Sequence, residues 1–168
     1  KASSILYFGT IIRKKGVLDL AKAFQILFKE NPEAKLILIG KDNLDVLEGK
    51  STLALFNECL NDDAIAAVSH LNHMPYEEIV KEIDMADVVV LPSRAEAFPM
   101  SWLETMAMEK AMVTSNIGWA KELMILNETG FMIHPDRKPA DCSSESLLRS
   151  ELKWGIRQDD SGTLHFCL

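Results

Sequence analysis

Six short apolar runs, at residues 5–9, 35–40, 66–71, 87–91, 112–115 and 131–133, constrain this chain more than any other feature. Several are near-continuous hydrophobics rather than alternating ones, as strands buried on both faces of a parallel sheet require. Stretches of helical period lie between them. Residues 17–30 carry Leu18, Ala21, Phe24, Leu27 and Phe28 at steps of three and four, stopped by Asn31-Pro32. Further helices are predicted over 51–60 with Ser51 as N-cap, over 76–85 entered through Pro75, over 100–110 entered through Pro99, and over 120–126. Strand alternating with helix predicts an α/β fold: a Rossmann-like parallel sheet of about six strands with helices on both faces. Such sheets bind ligands at the carboxyl ends of their strands, so the loops after strands are where chemistry is sought.

Size and charge narrow the function classes. A chain of 168 residues buries one sizeable core. Residues 1–135 carry the alternating pattern and are expected to form the binding domain. From 136 to 168 the apolar period fades and serines gather, so this tail is expected to be a truncated or aberrant ending; 147–153 is the one stretch there with a short helical pattern. The chain opens at Lys1 and is expected to be a piece of a longer protein. Acidic residues outnumber basic ones by 25 to 18, which argues against general nucleic-acid binding. No apolar run reaches the roughly 18 residues that a membrane span needs. Cys59, Cys142 and Cys167 have no redox spacing, and a reducing, cytoplasmic setting is expected.

Two strand-end loops carry candidate chemistry. The first runs from Gly9 and Thr10 through Arg13, Lys14 and Lys15 to Gly16. Three consecutive cations in an acidic chain make either a local anion site or an ordinary solvated basic loop. The spacing is not that of a P-loop, and no Gly-x-Gly-x-x-Gly occurs. The second loop runs from Pro92 through Glu96 and Phe98 to Glu104. With Pro99 at the first helical position, the N–H groups of Met100 and Ser101 would face outward at the positive end of a helix dipole. Glu96 before the helix and Glu104 one turn inside it can reach one cleft from two heights. Carboxylates there would accept from sugar or ribose hydroxyls; equally, one could cap the helix and the other sit in solvent.

Smaller features are weaker. His70 and His73 lack a third ligand nearby, so no metal site is assigned. His73 and Met74 occupy a strand-end loop that could flank a nucleotide base. Trp102 and the methionines read as packing, and Trp119 beside Gly118 could face a ligand. Asn127-Glu128-Thr129 has the form of a glycosylation acceptor and reads as a turn.

The segment from Glu96 to Glu104 resembles the Glu-x7-Glu signature of retaining glycosyltransferases of the two-domain GT-B architecture, family 4 (group 1) in particular. PSRAEAF resembles that family's Pro-Ser-x-x-Glu-Gly-Phe, and LETMAMEKAMVTSNIG its Leu-Glu-Ala-Met-Ala-x-Gly-x-Pro-Val-x-x-Ser-x-x-Gly. Glu122, ETGFMIHP and YFGTIIRKKGV match further motifs in order, covering about residues 5 to 135. The resemblance implies the C-terminal, donor-binding half of an enzyme that transfers a sugar from a nucleotide diphosphate sugar to a glycan or lipid-linked acceptor. Bacterial surface polysaccharide or glycolipid assembly is the implied setting. Glu104 would hold the ribose, Glu96 the donor sugar, and the backbone at Phe98, Met100 and Ser101 the sugar and distal phosphate. Lys15 would grip the diphosphate, and Gly9 would let it approach. The family arginine after the first glycine is Thr10 here, with Arg13 or Lys14 as its substitute; the family glycines also give way to Ala97 and Glu109.

The resemblance further implies no metal and no cofactor beyond the donor itself. Lys15, Arg13 and the helix start near Met100 would stabilise the departing diphosphate. The missing N-terminal domain would supply acceptor contacts and any peripheral contact with the inner face of the membrane. Without it this piece is expected to be inactive. Two rivals stand beside this reading. A catalytically silent nucleotide-binding module is kept alive by Thr10. A receiver-type phosphate-responsive domain needs acidic residues after strand one, where the chain has Arg13-Lys14-Lys15.

Overall fold

β1 (Ser4–Phe8) is the core strand of the sheet, because Ile5, Leu6, Tyr7 and Phe8 are all buried. It pairs in parallel with β2 (Lys35–Ile39) on one side and with β4 (Val88–Leu91) on the other. With β3 (Val68–Leu71), β5 (Met112–Ser115) and β6 (Phe131–Ile133) they form a six-stranded sheet in the order β3-β2-β1-β4-β5-β6. The predicted α/β, Rossmann-like architecture is therefore the one observed. The computed structural model describes residues 3–118, 120–124, 130–133, 155–158 and 164–167. The chain divides into two units, Lys1–Pro135, which holds this sheet, and Asp136–Leu168.

Burial follows position in the sheet. All four residues of β5 are buried, whereas edge strand β3 leaves Ser69 and Leu71 exposed. The first helix, α1 (Val17–Glu30), has the predicted bounds. It buries Val17, Leu20, Ala21 and Phe24, and ends where the N–H of Asn31 donates to Leu27 O. α2 (Thr52–Glu58) starts as predicted at Ser51, whose hydroxyl accepts from Ala54 N at 3.0 Å. α4 (Tyr76–Met85), α5 (Met100–Ala107) and α6 (Ala120–Leu123) follow. Among the described residues no helix is long and apolar enough to cross a membrane.

Three local expectations are corrected. Residues 66–71 are not one strand: α3 (Asp62–Ala66) ends there and β3 starts only at Val68. Asn61 caps this helix through its Oδ1, and Asp62 and Asp63 occupy its first turn, where carboxylates suit the helix dipole. Pro99 is the N-cap of α5 rather than its first helical residue. α5 ends at Ala107, before residue 110, and Glu109 just beyond it adopts a left-handed φ of 54°. This is the position at which the resembled family carries glycine.

In the second unit, β7 (Gly155–Gln158) and β8 (Leu164–Cys167) pair antiparallel, Gly155 opposite Cys167 and Gln158 opposite Leu164. The helical pattern at 147–153, Trp119, Cys142 and the Asn127–Thr129 stretch (127–129) lie outside the described residues.

The strand order creates a site. From β1 the chain winds outward through β2 to β3, then returns to β4 beside β1 and winds the other way. Right-handed crossovers send the connections after β1 and β4 to opposite faces. Their carboxyl ends therefore splay apart and leave a crevice at the switch of direction.

Candidate functional site

A cleft of about 300 Å³ opens at that switch. Tyr7, Phe8, Gly9, Thr10 and Lys15 line it from β1 and the loop that follows. Leu91, Ser93 and Glu96 line it from β4 and its loop, and Phe98 through Ser101 with Glu104 line it from the start of α5. Two runs about 80 residues apart in sequence are thus joined by the pairing of β1 with β4.

The loops are fastened to each other just outside the cleft. Gly16 has φ 73°, and a Cβ built on it would lie 1.9 Å from Pro92 O. Only a glycine permits that approach. Beside it, the backbone N–H of Arg94 donates to Lys14 O at 2.8 Å, and the Arg94 guanidinium pairs with Asp19 at 2.7 Å. Lys15 is thereby carried over Glu96. Its ammonium donates to Glu96 Oε1, which also accepts from Ser93 Oγ at 2.8 Å. The Glu96 side chain is 13% exposed and Lys15 28%. A half-shielded ion pair thus lines the cleft, and Glu104, one helical turn into α5, lines it too.

Gly9 follows β1 with φ 137°, and nothing beyond the Tyr7 ring lies within 4 Å of where a side chain would start. Tyr7 forms part of the floor. Its hydroxyl donates to Thr10 O at 2.8 Å, tying down the turn after Gly9. Burial, and then the charge of Glu96, raise the pKa of this phenol well above its ordinary value. Tyr7 therefore stays a neutral donor. α5 presents its amino end, the positive end of its dipole, to the same space.

The structure brings together Gly9, Thr10, Lys15, Glu96, Phe98, Met100, Ser101 and Glu104. Others fall elsewhere. Arg13 does not line the cleft. Its guanidinium forks onto the buried Asp45 carboxylate at 2.7 and 3.0 Å and reaches Glu48 at 3.1 Å. This arm braces the 45–48 turn rather than the cleft. His73 and Met74 stand past the carboxyl end of edge strand β3, two strands away from the switch point. The Met100 N–H is not free, since it donates to Phe98 O at 3.0 Å. His70 donates from Nε2 to Gly40 O, 2.9 Å away.

Two hydroxyl-bearing lining residues, Tyr7 and Ser93, escaped sequence reasoning. Tyr7 reads as one more core residue of a continuous apolar run. Ser93 precedes Glu96 by three residues, a spacing at which a short hydroxyl can reach a carboxylate, but only the structure shows it 3% exposed.

Comparison with known proteins agrees with the fold. The sequence pattern of the family described as Glycosyl transferases group 1 matches residues 1–149. Glycogen synthase of Mycobacterium tuberculosis is 30% identical over 133 residues, covering 79% of this chain and 30% of that enzyme. The C-terminal domain of a glycosyl transferase group 1 family protein from Francisella tularensis superposes with a TM-score of 0.68 at 21% identity, covering 80% of this chain and 68% of that one. Sucrose-phosphate synthase from Thermosynechococcus elongatus gives a TM-score of 0.65 at 24% identity, covering 81% of this chain and 33% of that one. The chain thus spans about a third of the length of the full-length enzymes it matches.

Proposed function

This chain belongs to the group 1 glycosyl transferases, and on that premise we propose that it forms the nucleotide-sugar-binding half of a retaining glycosyltransferase. The observation that carries the reading is the cleft at the switch point, where Lys15, Glu96, the amino end of α5 and Glu104 converge. The ordered motifs and the likeness to an isolated C-terminal domain support the finer assignment: a family 4 enzyme of GT-B architecture, with this chain as its C-terminal half.

The roles follow from chemistry. Glu104 accepts from the ribose hydroxyls, and Glu96 from hydroxyls of the donor sugar. Gly9 admits the diphosphate close to the backbone. As the anomeric bond breaks, negative charge builds on the departing diphosphate. Lys15 and the α5 amino end are fixed positive elements beside it, and the reading assigns that task to them without a metal. Removing one such donor lowers turnover by roughly 10²- to 10³-fold in comparable sites. The acceptor, a glycan or lipid-linked sugar, and any peripheral contact with the inner face of a bacterial membrane belong to the other domain. By themselves these 168 residues are expected to bind donor without turning it over, because the acceptor side of the cleft belongs to the other domain.

One observation favours a second reading, a catalytically silent nucleotide-binding module. Among the described residues Lys15 is the one cation lining the cleft, Thr10 is neutral and Arg13 is spent on Asp45. Calorimetric titration with UDP, GDP and ADP, beside Glu104→Ala and Lys15→Ala, tests the site. Binding of one nucleotide, weakened in both variants, supports the donor site; no binding by a folded chain refutes it. Joining the chain to an N-terminal domain of the family separates the readings, since sugar transfer sinks the silent one.

A further inference from the structure

Glu96 is held from one side only. Its Oε1 accepts from both Lys15 and Ser93, and among the described residues its Oε2 has no hydrogen-bond partner. The two donors differ in kind. Lys15 is a long, flexible cation on the loop after β1, with 28% of its side chain exposed. Ser93 is buried two residues past β4, and its short side chain bonds Glu96 at 2.8 Å. Glu96 and an arriving diphosphate compete for Lys15, because both are anions within the same cleft. When Lys15 turns toward the diphosphate, Glu96 loses a charge-assisted bond while mostly shielded from water. Ser93 already gives its one hydroxyl proton to an anion, so turning it to the phosphate would exchange one charge-assisted bond for another.

We propose that Ser93 is a positioning residue for the donor sugar: its hydroxyl holds Glu96 Oε1 while the diphosphate draws Lys15 away, leaving Oε2 aimed at a sugar hydroxyl. This rests on the reading that Glu96 meets the sugar. It predicts that recognition of the sugar and of the diphosphate separate at these three residues. Lys15 serves the diphosphate, which nucleotide and nucleotide sugar both carry, whereas Ser93 serves the sugar alone.

The test compares nucleotide sugar with bare nucleotide. UDP and UDP-glucose, GDP and GDP-mannose, and ADP and ADP-glucose are titrated into the unmodified chain, Ser93→Ala, Ser93→Thr, Glu96→Gln and the Ser93→Ala/Glu96→Gln double variant. Ser93→Ala should weaken the bound nucleotide sugar about tenfold, the scale of one hydrogen bond to a charged group. Its affinity for the matching nucleotide should stay within about twofold. Ser93→Thr, which keeps the hydroxyl, should restore most of the loss. In the double variant the two effects should not add, because Ser93 acts through Glu96.

Equal losses for nucleotide and nucleotide sugar, no loss for either, or full additivity would overturn the inference while leaving the donor site standing. An unmodified chain that melts cooperatively and binds no nucleotide removes the donor site and the inference with it. Should Ser93→Ala fail to fold, Ser93→Cys carries the same comparison, since its thiol is near in size and a weak donor.

Discussion

Gly16→Ala tests the contact that fastens the two sides of the cleft. Gly16 sits at φ 73°, a left-handed conformation that costs a residue with a side chain roughly 1–2 kcal/mol. The added Cβ would lie 1.9 Å from Pro92 O and 2.7 Å from Pro92 C. Both are backbone atoms, so no rotamer change relieves the collision. Overpacking of this kind costs typically about 1–3 kcal/mol. Together these give a loss of about 2–5 kcal/mol, a large share of the roughly 5–15 kcal/mol that holds a domain folded. Urea unfolding should show the midpoint fall by roughly 1–3 M at an m-value near 2 kcal/mol/M. Gly49→Ala is the internal control: Gly49 has φ 66° with nothing within 4 Å, so it reports backbone strain without collision. Gly16→Ala should be the more damaging, and should also weaken nucleotide binding because Lys15 is its neighbour. Equal stability of the two alanine variants would refute the reasoning, since the Pro92 contact would then carry no energy.

Other expectations follow from single side chains. Arg13 holds the Asp45 carboxyl down at about 2, from an ordinary 3.8, helped by the backbone N–H groups of Glu48 and Leu47. A carboxyl depressed on folding adds stability above its unfolded pKa, and that stability is lost as pH falls from about 3.8 to about 2. Arg13→Ala should flatten this acid limb in pH-dependent urea unfolding while leaving nucleotide affinity nearly unchanged, because Arg13 lies outside the cleft. Tyr7→Phe removes the bond to Thr10 O and should cost about 0.5–1.5 kcal/mol. The raised phenol pKa makes Tyr7 stabilising below its unfolded value near 10, with that stability lost as pH rises further. Absorbance titration should show a late phenolate step that this variant lacks. Glu109→Gly relieves a left-handed glutamate and should raise the urea-unfolding stability by up to about 1 kcal/mol, the strain removed less the added chain entropy.

Much of the fold is legible because it rests on short-range periodicity. The bounds of α1 follow from apolar steps of three and four and a stop at Asn31-Pro32, and the cap at Ser51 follows from residue type. The short α3 was not read as a helix, although Asn61 followed by Asp62 and Asp63 is a helix-start signal, because the apolar residues beyond it read as strand. The β7–β8 pair went unread because residues 155–158 carry no apolar alternation to mark a strand. Glu109 departs from its local rule: a left-handed turn asks for glycine, and the end of α5 imposes the conformation on a glutamate.

By itself the sequence determined the class of fold and singled out the two strand-end loops and the two glutamates that the structure brings to one cleft. Tertiary structure alone decided which cation belongs to the site. Arg13 and Lys15 are two residues apart and alike in charge, yet one is turned onto Asp45 and the other over Glu96. That choice depends on partners 32 and 81 residues away in the chain. The β1–β4 pairing and the close approach of Gly16 to Pro92 bring the Glu96 loop into reach. Charge is a property of the residue, whereas a pairing depends on lateral strand order and loop contact, neither of which has a period in the sequence.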